Sequence, residues 1–173
     1  MKKTSTVFFV AAFICLTCGI LMPCKVSEVL SPEQLVAQAT SIVVAIPIEY
    51  QKKPKPPDEQ FGSIKFDIKK VLKGEPSLKQ VTVQGELTDK DDFNEGTVPY
   101  TSVRPSGKQG SCFAYYYKNG ASYLLFLKEK NGSDEHKTKE LSPYWTPLAP
   151  VNEQLKSMDD PWLQWVESAI NKK

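Results

Sequence analysis

The sequence predicts a mainly β domain with a short helix near its start and a second helix at its end. Three observations predict it. Ile64, Phe66 and Ile68 alternate with Lys65, Asp67 and Lys69, the period-two pattern of a half-buried strand. The stretch GSCFAYYYKNGASYLLFL (110–127) sets two apolar runs around Asn119-Gly120, the residue pair of a tight hairpin. Trp162, Trp165, Val166, Ala169 and Ile170 fall at helical spacing on one face.

Ahead of these elements, residues 1–19 have the order of a secretory signal peptide. Lys2 and Lys3 make a positive start, VFFVAAFICL (7–16) is an apolar run, and Thr17-Cys18-Gly19 offers small residues for cleavage. The expectation is export, periplasmic or extracellular, of one domain spanning 20–173 with no integral membrane span. Two alternatives stand beside it. An apolar run carried on to Met22 would make an N-terminal anchor helix. Lipidation of Cys18 or Cys24 would anchor the chain as a lipoprotein, although Thr17 and Pro23 fit poorly before a lipidated cysteine.

Loss of the signal changes charge and cysteine content. The chain carries 22 Lys and Arg against 20 Asp and Glu, so removing Lys2 and Lys3 leaves 20 against 20. A near-neutral domain without a basic stripe sets nucleic acid aside as a partner. Of the four cysteines, Cys15 and Cys18 lie within the signal. Cys24 and Cys112 remain, and in an exported protein two cysteines most simply form one disulfide.

Each element has its own signal. Ser31 caps a helix with Pro32 in its first turn and Gln34 completing a capping box; Leu35, Val36 and Ala39 form its apolar face. IVVAIPI (42–48) reads as a buried strand, with Pro47 predicting a bulge or an edge. QKKPKPPDEQ (51–60) is a proline-rich loop. The strand of Ile64 to Ile68 ends in a turn at Val71-Leu72-Lys73-Gly74, and Val81 and Val83 mark another strand. Residues 86–109 show no apolar period and form a long loop, a common place for function. Residues 131–140 are a charged connection, and Asp160-Pro161 starts the last helix.

Little here signals catalysis. His136 is the one histidine and has no metal-ligating neighbours in sequence. Ser106-Gly107-Lys108 lacks the glycine spacing of a phosphate loop. DKDDFNEG (89–96) gathers oxygen ligands, but Phe93 occupies a ligand position and no glutamate follows at the calcium-loop distance, so it reads as a solvated acidic loop. The acid pairs Asp91–Asp92 and Asp159–Asp160 have no glycosidase context. No catalytic residue, metal or cofactor is expected. Tyr115, Tyr116, Tyr117, Tyr144 and Trp145 read as a ligand groove or as core; on strands half of such a set faces inward, which favours core.

The order of parts resembles bacterial secreted domains of the TIMP-like, or netrin-module, OB-fold superfamily. The likeness rests on Phe66, Ile68, Val71, Lys73 and Gly74; on Val81 and Val83; on Cys112; and on Tyr117, Gly120, Tyr123, Leu124 and Leu125. It covers about residues 24–130. The stretch 143–166 resembles the tail of a bacterial group of this type and carries no activity with it. The resemblance implies a five-stranded OB-like antiparallel barrel, with the short N-terminal helix and the C-terminal helix packed on it. In the metalloproteinase inhibitors of this superfamily, an N-terminal cysteine chelates the protease zinc. Cys24 is the matching position, with Val26 where those inhibitors carry a second cysteine. The expected function is an exported, non-enzymatic binding module whose partner is a protein, either a protease or an envelope component. Its candidate binding loop carries Asp89, Asp91, Asp92, Tyr100 and Arg104, with Tyr100 expected on the surface. The alternative is metalloprotease inhibition through the Cys24 region.

Overall fold

The computed structural model describes residues 29–109, 111–129, 141–143 and 145–172. The expected signal peptide (1–19), Cys24, the 131–140 connection with His136, and Tyr144 lie outside the described residues. Among the described residues the strands are β1 (Ser41–Lys52), β2 (Gly62–Lys73), β3 (Gln80–Thr88), β4 (Tyr116–Lys118), β5 (Tyr123–Glu129), β6 (Leu141–Pro143) and β7 (Asn152–Gln154). The helices are α1 (Pro32–Gln38) and α2 (Pro161–Asn171). The strands make one sheet in the order β4-β3-β2-β1-β5-β6, with β7 also paired to β5. The sheet curls into a nearly closed, OB-like barrel carrying the two helices. β4, β6 and β7 have only three residues each, too few for an alternating pattern to stand out, so the strand count exceeds the expected five.

Alternation along the long strands builds two cores from one sheet. Val43 and Ala45 of β1 point into the barrel with Ile64, Phe66, Val81, Val83, Tyr123 and Leu125. Ile42 and Val44 point the other way with Leu124 and Phe126, onto Leu35 and Val36 of α1 and Trp162, Leu163 and Val166 of α2. The pairings Val43↔Leu125 and Val44↔Leu124 set both faces at once, and a slip by one residue would exchange them.

Both helices begin where their caps require. Ser31 and Gln34 exchange backbone-to-side-chain bonds of 2.8 and 3.2 Å. The Asp160 carboxylate accepts the N–H groups of Trp162 and Lys156, each at 2.9 Å. Trp162 is fully buried, whereas Trp165 is half-buried and stacks on it at 5.2 Å and 11°. No described helix is long and apolar enough to cross a membrane.

Two sequence signals resolve in instructive ways. Pro47 sits beyond the stretch of β1 that pairs with β5, which ends at Ala45↔Tyr123, and a register shift with β2 follows between Pro47 and Glu49. Asn119-Gly120 does form a turn, with Gly120 at φ 73°. The strands flanking it are not a hairpin pair. β5 has β1 on one edge and β6 and β7 on the other. β4 instead pairs in parallel with β3, Glu86↔Tyr116 through Thr88↔Lys118. Gly85 permits that approach: a Cβ there would lie 2.4 Å from the Tyr115 carbonyl oxygen.

Candidate binding groove

The loop after β3 is folded back onto one end of the barrel and anchored by Arg104. This side chain is fully buried. Its guanidinium pairs with Asp92, donates to the carbonyls of Tyr116 (2.8 Å), Asn152 (3.0 Å) and Ala114 (3.3 Å), and lies 5.2 and 5.4 Å from the ring centres of Tyr117 and Tyr123. Asp92 also accepts from the Ser106 backbone N–H at 3.1 Å. Glu153, equally buried, accepts from the Asn94 amide (2.9 Å) and the Arg104 backbone N–H (3.2 Å). Burial pushes the Glu153 carboxyl up to about 7 against the opposing pull of Arg104 and Asn94. Desolvation raises the Tyr123 hydroxyl to about 12 and Tyr117 further.

This corrects the expected display of the loop. Tyr100 is only 8 % exposed and packs on Trp162 with ring centres 5.2 Å apart. Arg104 and Tyr100 hold the loop down, and neither faces solvent. Asp92 is partly buried in the same arginine cluster. Asp91 accepts from Lys118 (2.7 Å) and Gln154 (2.6 Å); the Lys118 bond first, then Gln154, holds its carboxyl below the usual range. Asp89 alone among the five is exposed without a partner among the described residues. No group of three or more His, Cys, Asp or Glu among the described residues could hold a metal ion.

The open surface lies beside this anchored loop. Cys112 and Leu148 both adopt left-handed backbone, φ 63° and 61°. The Leu148 N–H donates to the Cys112 carbonyl (2.7 Å) and the Val103 N–H to the Leu148 carbonyl (2.6 Å), so three loops are tied at one point. From there residues 113–116 run past the head of β2 and gather a cluster of rings. Phe61 stacks on Tyr115 at 4.3 Å and 28°. Tyr115 leans on Trp145 at 5.1 Å, and Phe113 meets both. Tyr116, 41 % exposed, stands edge-on to Phe61 at 6.4 Å.

Phe61, Tyr115 and Tyr116 line an open groove of about 510 Å³, together with Gln60, Gln109, Ser106 and Ser111. A second groove, of about 560 Å³, shares Gln60 and Phe61 with the first and carries Lys52, Asp58 and Glu59 beside Gly62, Ser63 and Gln84. The aromatic set named from sequence therefore divides. Tyr117 is core, while Tyr115, Tyr116 and Trp145 are surface-reaching. Phe61 and Phe113 were not legible as partners, although a lone phenylalanine closing the polar run 51–60 is a usable signal. Cys24, the position matched to the inhibitors' zinc-chelating cysteine, lies outside the described residues. The chain matches no protein-family model and no curated protein.

Proposed function

We propose that this chain is an exported, non-enzymatic binding module of TIMP-like type whose ligand surface is the groove at Phe61, Tyr115 and Tyr116. The observation that supports this best is the set of outer rings, Phe61, Tyr115 and Tyr116, which belong to neither core and border two open grooves, while Trp145 behind them packs on both cores. Of the groups expected to act from the loop after β3, Asp91, Asp92, Tyr100 and Arg104 are engaged in holding it, and Asp89 alone is not. The Cys24–Cys112 disulfide belongs to the same reading, since it would anchor the segment that carries Phe113, Tyr115 and Tyr116.

The test compares immobilised parent protein with a Tyr116→Ala variant for retention of material from the envelope and extracellular fractions. Tyr116 is exposed, so the variant should keep its melting temperature and lose the retained material. Equal retention by both proteins would move the binding surface elsewhere. The inhibitor alternative separates by intact mass: it requires Cys24 as the first residue of the mature chain, and stoichiometric inhibition of a metalloprotease.

A further inference from the structure

We infer that the groove at Phe61, Tyr115 and Tyr116 takes a neutral oligosaccharide, an inference that rests on the binding-module reading above and narrows its ligand to a class. The first argument is charge. No residue lining this groove is ionic, in a protein whose remaining surface is rich in Lys, Asp and Glu. A charged ligand would find no counter-charge there, and an uncharged one needs none.

The second argument is the hydrogen-bonding set. The Ser106 hydroxyl donates to Asp92 and the Ser111 hydroxyl to the Phe113 carbonyl, so each has acceptor lone pairs left for a ligand. The side-chain amides of Gln60 and Gln109 are exposed and make no hydrogen bond among the described residues. Each amide offers both a donor and an acceptor. Sugar hydroxyls also donate and accept, and they match such a mixed set. A proline-rich peptide, the other common occupant of aromatic grooves, offers chiefly carbonyl acceptors and calls for donors alone.

The third argument is ring geometry. Phe61 and Tyr115 are in contact at 4.3 Å, which closes the space between them to a proline ring. Exposed aromatic surface, such as that of Tyr116, suits the slightly positive C–H face of a pyranose, because an aromatic face carries negative charge.

The probes are uncharged hexasaccharides of β-1,4-linked glucose, β-1,4-linked N-acetylglucosamine and α-1,4-linked glucose, with decaproline as the peptide arm. Binding to the full mature chain is followed by calorimetry and by chemical-shift mapping. At least one hexasaccharide should bind saturably, perturb Gln60, Gln109 and Tyr116, and hold its affinity between 0.1 and 1 M salt within about twofold, as a neutral ligand must. Tyr116→Ala and Gln109→Ala should each weaken it tenfold or more with the melting temperature unchanged. Failure of all three sugars at 10 mM, binding of decaproline alone, or sugar binding unaffected by both variants overturns the inference. If the sugars fail while Tyr116→Ala still abolishes retention of envelope material, the groove binds another class of ligand. If both fail, the binding-module reading falls too.

Discussion

A buried guanidinium is tolerable only when its N–H groups find partners, and Arg104 gives four of its five to Asp92 and the carbonyls of Ala114, Tyr116 and Asn152. Lysine cannot replace it, because an ammonium offers three donors from one point and not a planar fork. Arg104→Ala or Arg104→Lys should therefore cost about 3–5 kcal/mol, the range for breaking a buried pair, read as a lower urea midpoint. A change under 1 kcal/mol would show that the loop is not anchored there. Glu153 makes a second, pH-dependent prediction. Its carboxyl titrates near 7 in the folded chain against an ordinary 4.5, so between those values the folded state holds a proton that the unfolded state has released. Stability then falls as pH rises from about 4.5 to 7, by an amount on the order of 3 kcal/mol at 1.36 kcal/mol per unit. Arg104 and Asn94 face this carboxyl and oppose the rise, and Asp92 adds to it. Glu153→Gln should flatten that segment of the stability–pH curve. A parent curve already flat from pH 5 to 7 would refute the assignment. Neither role was legible in the sequence. A charged residue in a polar loop is usually exposed, and the partners of Arg104 come from distant points of the chain.

Elements with a long period were read correctly in kind but not in extent: β1 runs on to Lys52, β2 to Lys73 through the expected turn at 71–74, and β3 to Thr88 inside the expected loop 86–109. α1, α2 and the alternating strand at Ile64–Ile68 follow from signals repeated over a turn or more. The partner of β4, expected to be β5 across a hairpin, could not be inferred, since its parallel pairing with β3 depends on the occupied edges of β5 and on the missing side chain of Gly85. Gly85→Ala should separate β3 from β4. α2 offers the sharper energetic test. Trp162 is fully buried between Tyr100, Phe126 and Trp165, so Trp162→Ala should cost about 3–5 kcal/mol. Trp165 is half-buried, and its alanine variant should cost clearly less. Equal losses would mean that the two rings share one environment, contrary to their placement.

At the scale of the whole molecule, the groove and the proposed disulfide make one mechanical unit. The segment 111–116 is fastened by the Glu86 N–H on the Tyr115 carbonyl, by Arg104 and Asn152 on the Ala114 carbonyl, and by the three-residue strand β4. Its start, Cys112, holds a left-handed conformation bonded to Leu148. A bond from Cys112 to Cys24 would close a loop of 88 residues, since 112 − 24 = 88. On the chain-entropy model that closure contributes about 4.6 kcal/mol, less any strain in the folded state. Cys24→Ser, Cys112→Ser and the double variant should then lose the same stability, because each removes the same bond; independent thiols would give losses that add. The groove supplies a second readout. With the bond removed, the ring cluster of Phe113, Tyr115 and Tyr116 would keep its contacts with Phe61 but lose its anchor, so ligand binding would have to order the segment as well. Reduction should therefore weaken Tyr116-dependent retention, with the melting temperature falling in parallel. Non-reducing peptide mapping of protein taken from its native compartment decides the chemistry directly. Two free thiols there, or additive losses from the two single variants, would refute the bond and leave the groove fastened by β4, its aromatic contacts and the hydrogen bonds to the Cys112, Ala114 and Tyr115 carbonyls.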